Sequence, residues 1–202
     1  MEDIRLPGSC GWLASQDMYY GWQSSHSLSK PIFLLTGKAG SGKSVISPYV
    51  INDLQQHGQK CRYFFFKNGH SANSTTSACL RSLAYKMAMS DVTTLQSLLD
   101  SQRDAPPWTK SDNRTIWRKF FLGCLFNQGN SVRHIWVIDG LDECEEFAAF
   151  LSLISEIPSC LSIFLTCRNG PAIDKGLRRI EQLVGCFQMR EQDTVDDISA
   201  FH

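Results

Sequence analysis

The sequence predicts an α/β fold in which a five-stranded parallel sheet carries helices on both faces. The first observation behind this is residues 37–44, Gly-Lys-Ala-Gly-Ser-Gly-Lys-Ser, which fill the template Gly, four residues, Gly, Lys, Ser or Thr. The second is their setting. The apolar run Ile32, Phe33, Leu34 and Leu35 precedes the loop and a helix-like segment follows it, the strand, loop and helix order that a P-loop requires. The third is residues 135–144, Ile-Trp-Val-Ile-Asp-Gly-Leu-Asp-Glu-Cys, where four consecutive apolar residues lead to an acid. Such a run suits a parallel strand buried on both faces, with Asp139 at its carboxyl edge. Ligands of open α/β sheets sit at that edge. The predicted class is therefore a P-loop NTPase.

Taken in order, residues 11–22 carry Trp12, Leu13, Met18, Tyr19 and Trp22 close to a helical stripe. Two readings fit: a lead-in helix packed on the domain, or an aromatic set reaching the base side of a nucleotide, such as adenine. Residues 24–30 form a polar connector, and Pro31 opens the first strand. The helix after the loop runs from Gly42 to His57, with Pro48 expected to distort its second turn and Gly58 to stop it. Residues 61–66 are the second strand. A polar loop over 68–76 leads to an amphipathic helix marked by Leu80, Leu83, Ala84 and Met87. Asp91 starts a short helix that ends before Pro106 and Pro107. Asp112 caps the next, whose Ile116, Trp117, Phe120, Phe121, Cys124 and Leu125 predict burial.

Past Asp139, Glu145 and Glu146 are expected in the first turn of a helix with the apolar face Phe147, Phe150, Leu151, Ile154 and Ile157, complementing its dipole. Asp142 and Glu143 precede that helix. Each could cap it or orient an attacking water. Residues 161–166 form the next strand, ending in Thr166, Cys167 and Arg168, and residues 184–189 the fifth. Residues 1–27 read as a lead-in segment, 28–190 as the nucleotide-binding domain, and 191–202 as the start of a following helical domain.

The loop points to phosphate because glycines let successive N–H groups turn inward and the next helix offers its positive dipole end. The expected binding set is Gly37, Lys38, Ala39, Gly40, Ser41, Gly42, Lys43, Ser44 and Val45. Lys43 would lie on the β- and γ-phosphates and the Ser44 hydroxyl on Mg²⁺. Asp139 is placed to hold the same ion through its water shell. Arg168 is either a surface cation or a match for γ-phosphate charge, since guanidinium meets phosphate bidentately.

With 202 residues and 20 basic against 20 acidic side chains, the chain suits one α/β domain and gives no reason to expect nucleic acid or an anionic membrane as partner. No apolar stretch is long enough to span a bilayer and no leader is visible in the first ten residues, so the expected location is the cytoplasm. Eight scattered cysteines without a Cys-x-x-Cys pair read as buried free thiols.

Gly-Trp-Leu at 11–13, the loop at 37–44, Asp-Gly-Leu-Asp-Glu at 139–143 and the strand end at 166–168 together resemble the NACHT domain of STAND NTPases, especially that of fungal NOD-like receptors. The resemblance implies an ASCE/AAA+-like sheet with the P-loop strand central and the Thr166 strand between it and the Asp139 strand. By position it implies that Asp139 serves Mg²⁺, that Asp142 or Glu143 prepares the water, and that Arg168 reads the γ-phosphate, making Lys43, Asp142, Glu143 and Arg168 the catalytic set. Cys167 stands where the family usually has Ser. The implied function is Mg²⁺-dependent ATP binding with slow hydrolysis, an ATP/ADP switch for self-association of a receptor in innate-immunity or heterokaryon-incompatibility signalling. Its usual companions are helical, winged-helix, effector and repeat domains. The alternative is an ADP-locked interaction module in which turnover plays no part.

Overall fold

A computed structural model describes residues 10–24, 30–70, 72–102, 111–127, 132–190 and 193. Its strands form at the five apolar runs: β1 (Ile32–Gly37), β2 (Cys61–Phe65), β3 (His134–Asp139), β4 (Leu161–Arg168) and β5 (Val184–Gln188). Every pairing is parallel, in the order β2-β3-β4-β1-β5. The Thr166 strand, β4, does separate the loop strand from the Asp139 strand. It also takes the middle of the sheet, so β1 is interior but fourth of the five. The β1–β4 register ends by pairing Gly37 with Arg168, which sets the loop beside the strand end.

Helices cover both faces because each strand sends alternate side chains to opposite sides. On one face lie α1 (Gly11–Ala14), α2 (Asp17–Ser24) and α3 (Lys43–Gln56). Leu13, Tyr19, Trp22, Ile46, Val50 and Leu54 pack there against Phe33, Leu35, Val137 and Phe164. Phe33 and Phe164, register partners, stack at 5.5 Å with 7° between their planes, and the Tyr19 ring meets both edge-on. Fully burying such a side chain is worth about 1.5–3 kcal/mol. The opposite core is filled from α4 (Thr76–Ala88), α5 (Val92–Gln102), α6 (Asn113–Thr115) with the π-helix Ile116–Leu125 that continues it, α7 (Phe147–Ile154) and α8 (Pro171–Leu177). Two 3₁₀ turns, Leu141–Glu143 and Arg178–Leu183, complete the described elements.

Several elements depart from the sequence pattern for local reasons. The lead-in stripe is two helices, not one. Ser15 Oγ (2.7 Å) and Gln16 Nε2 (3.3 Å) both donate to the Trp12 carbonyl, offering the backbone an alternative to a continuing ladder. Helix α3 runs across Pro48 without a break. It ends with Gly58 at φ 70°, Gly58 N donating to Gln55 O and Gln59 N to Leu54 O, a Schellman stop. The buried helix after Asp112 is π-wound: Phe126 N reaches Phe121 O, five residues back. Asp112 caps it as expected, accepting from Thr115 N at 2.9 Å.

Glu145 and Glu146 lie outside the first turn of α7, which begins only at Phe147. Glu145 N instead donates to Ser74 O, and the Glu146 carboxylate accepts from Asn113 Nδ2 at 3.1 Å. The outer strand β2 has two carbonyls taken: Lys86 Nζ donates to Tyr63 O at 2.7 Å while lying 3.9 Å from the Tyr63 ring centroid, and Arg62 donates through Nη1 to Cys61 O at 3.4 Å and through Nε to Lys86 O. Of the eight free cysteines, Cys10, Cys79, Cys144 and Cys167 are buried as expected, whereas Cys186 is exposed. No helix among the described residues is long and apolar enough to cross a membrane. Apart from Asp193, the expected helical segment at 191–202 lies outside the described residues, as do residues 1–9 and most of the 24–30 connector.

Candidate functional site

The loop between β1 and α3 owes its shape to its glycines. Gly40 and Gly42 take φ 75° and 84°, a region costing other residues roughly 1–2 kcal/mol. Gly37 is needed for room, since a Cβ there would meet Ser41 Oγ at 2.8 Å and Met189 Cβ at 3.3 Å. Inside this ring lies the Lys43 ammonium. Nζ donates to Gly37 O (2.8 Å), Lys38 O (2.6 Å) and Ser41 Oγ (3.1 Å), using all the donors an ammonium has. Burial lowers the Lys43 pKa, with the Asp142 charge opposing the shift. Lys38, Ala39, Gly40, Gly42, Ser44 and Val45 are exposed around the loop, and Ser41 is half-buried.

Facing the loop, Asp139 ends β3 and is buried. Its Oδ1 accepts from Ser47 Oγ and from Thr166 Oγ1, each at 2.7 Å. The Thr166 hydroxyl in turn accepts from Gly140 N at 2.9 Å. The α3 residue bonded to Asp139 is thus Ser47, and Ser44 stands one turn earlier on the same face. Gly140 at φ 73° then turns the chain into the Leu141–Glu143 turn.

Neither Asp142 nor Glu143 caps α7. Asp142 Oδ1 accepts from Arg168 N (2.7 Å), and its Oδ2 lies 3.3 Å from Arg168 Nε. Glu143 Oε1 lies 3.4 Å from Arg168 Nη2, and its Oε2 accepts from Asn68 N (3.1 Å). All four carboxylate oxygens are therefore engaged, three of them by Arg168. The Arg168 side chain is nonetheless 54% exposed.

The donors near the loop are hard oxygens, the Ser44 hydroxyl and the Asp139 carboxylate, which suit magnesium better than a thiophilic metal. Among the described residues no three His, Cys, Asp or Glu side chains gather as a metal site, so phosphate and water would have to complete any ion's shell.

The family model described as Nephrocystin 3, N-terminal, matches residues 8–168, from just before α1 to the last residue of β4. The chain belongs to this family. Its match and the sheet order agree with the NACHT-like P-loop domain that the sequence resembles. No curated protein matches the chain. Among solved structures it is similar to AMPPCP-bound DnaA from Aquifex aeolicus, at 15% identity and TM-score 0.45, covering 94% of this chain and 49% of that one. It spans about half the length of that DnaA chain. The DnaC helicase loader gives 14% identity and TM-score 0.41, with 86% of each chain covered. The genome packaging NTPase B204 from Sulfolobus turreted icosahedral virus 2, in complex with sulfate, gives 16% identity and TM-score 0.37 over 86% of this chain and 82% of that one.

The loop and the strand ends thus bring together Lys43, Asp139, Asp142, Glu143 and Arg168. The sequence reading missed the hydroxyl of Ser47, the Thr166 bond to Asp139 and the Asn68 amide. It also missed Met189, whose side chain abuts Gly37 and Gly42 and whose N–H donates to Thr36 O. Of the lead-in aromatics, Tyr19 and Trp22 belong to the core, Tyr19 donating to Asp53 Oδ2 at 2.7 Å. Trp12 instead packs on Phe187 of β5 at 5.7 Å, with its Nε1 buried and without a partner.

Proposed function

We propose that this domain binds ATP with Mg²⁺ and hydrolyses it slowly, as an ATP/ADP switch for self-association of a cytoplasmic receptor of NOD-like type. The observation carrying the proposal is the Lys43 ammonium held inside a ring of glycine-shaped backbone at the carboxyl edge of β1. A cation held mainly by neutral carbonyls is poorly matched, and phosphate oxygens are better partners for it. On binding, Lys43 exchanges Gly37 O and Lys38 O for phosphate, and the loop N–H groups close on the same oxygens.

Ser44 and Asp139 would hold the magnesium, which neutralises phosphate charge. Ser47 and Thr166 fix the Asp139 carboxylate by bonding Oδ1. Trp12, Phe187 and Met189 belong to one apolar cluster that reaches the loop, and in this reading it lies on the side of the base. In this reading Arg168 meets the γ-phosphate and Glu143 or Asp142 orients the water.

The second reading, an ADP-locked module, is favoured by one observation: both candidate bases have all their oxygens engaged. Two measurements separate the readings. Denaturing the purified domain should release nucleotide, and Lys43→Ala should weaken Mg·ATP binding on the order of 10- to 100-fold, the loss of a charge-assisted contact. An unchanged affinity in Lys43→Ala would sink nucleotide binding at this loop. Turnover in the wild type that falls in Asp142→Asn or Glu143→Gln supports the switch, whereas equal, negligible turnover in all three leaves the locked module.

A further inference from the structure

We infer that Arg168, Asp142 and Glu143 form a latch that opens only for a triphosphate, so that the water-orienting carboxylate is released by the group it acts on. This rests on the nucleotide reading above and adds to it a gate on the chemical step. Arg168 is tethered at its backbone: its N–H donates to Asp142 Oδ1, and its register partner is Gly37, the first loop residue. Neighbouring strands lie about 4.8 Å apart, so the guanidinium pivots from a point beside the loop. Its side-chain contacts are looser. They measure 3.3 and 3.4 Å, beyond the roughly 2.7–2.9 Å of a strong charge-assisted bond, and the side chain is half exposed.

A terminal phosphate offers more charge and a fork-matched set of oxygens within that pivot's reach, so the exchange is favourable. A diphosphate ends one phosphate short and leaves the latch shut. Once Arg168 swings away, Glu143 Oε1 is uncovered while its Oε2 stays on Asn68 N, which keeps the carboxylate aimed. Glu143 then takes the proton of the attacking water as the new O–P bond forms and the bond to the bridging oxygen breaks, giving ADP and phosphate. Asn68, through its backbone, is a positioning residue in this step.

The test is a double-mutant cycle on binding, not on turnover. Affinities of Mg²⁺ with ADP and with a non-hydrolysable ATP analogue are measured for wild type, Glu143→Gln, Arg168→Ala and the double variant. The latch predicts that Glu143→Gln raises the analogue-to-ADP affinity ratio about two- to fivefold, the range for an exposed ion pair, and that this gain disappears when Arg168 is absent. A gain of equal size in both backgrounds would mean simple relief of charge repulsion and would overturn the latch. No gain in either background would overturn it equally. Wild type that binds neither nucleotide removes the nucleotide reading, and the latch with it. Far-ultraviolet circular dichroism of the isosteric Gln variant guards against misfolding as the cause.

Discussion

A Cβ at position 140 would sit 3.4 Å from the Phe66 carbonyl on a backbone at φ 73°. Gly140→Ala should therefore cost on the order of 1–2 kcal/mol, read as a drop of roughly 2–8 °C in the midpoint of thermal unfolding. It should also blunt any ATP turnover, because Gly140 sets the spacing between Asp139 and the two acids that hold Arg168. An unchanged midpoint would mean that the turn relaxes freely. At this scale the positions of the loop, Lys43 and Asp139 were legible because each sits in a short motif whose chemistry is local, whereas Arg168 read equally as a surface cation and took its role from the resemblance. Ser47, the Thr166 hydroxyl and the Asn68 amide were not legible. Their partners lie 92, 27 and 75 positions away, and only strand pairing brings them together.

Pro48 lies inside α3 and lacks the N–H that would reach Ser44 O. Pro48→Ala supplies that donor and lifts the interior-proline penalty, so the variant should be more stable by on the order of 1 kcal/mol or more after the unfolded-state entropy is allowed for. Equal or lower stability in chemical denaturation would show that packing of the pyrrolidine ring outweighs the lost bond. The strands were readable as elements because apolar runs between turn residues leave few alternatives. The π-helix was not, since over ten residues a wall of aromatics such as Trp117, Phe120 and Phe121 is buried whether it winds by four or by five. Nor was the break between α1 and α2, which depends on the Ser15 and Gln16 side chains bonding one carbonyl.

The sheet order did not follow from spacing. It came from the family resemblance, and the strand pairing bears out the Thr166 strand between the loop strand and the Asp139 strand, while the middle place expected for β1 is taken by β4. The assembled fold also sets a pH response. His134 opens β3, its ring 5.2 Å from Phe126, and burial, aided by the Arg62 charge, lowers its pKa from the ordinary 6.5. Above that value both folded and unfolded chains hold it neutral. As pH falls through it, the unfolded chain takes up a proton that the folded one refuses, so stability declines until the lower folded pKa is passed. His134→Gln should flatten the decline in urea midpoint between about pH 7 and 5, and an unaltered slope would assign it to other groups. The outer strand has a different consequence. With the Tyr63 carbonyl occupied by Lys86 and Arg62 bonded across to the Lys86 carbonyl, β2 makes a poor template for another chain's backbone. Copies of this domain that come together are steered to meet through their side chains, and the route to fibrous aggregation by strand addition is obstructed at that end.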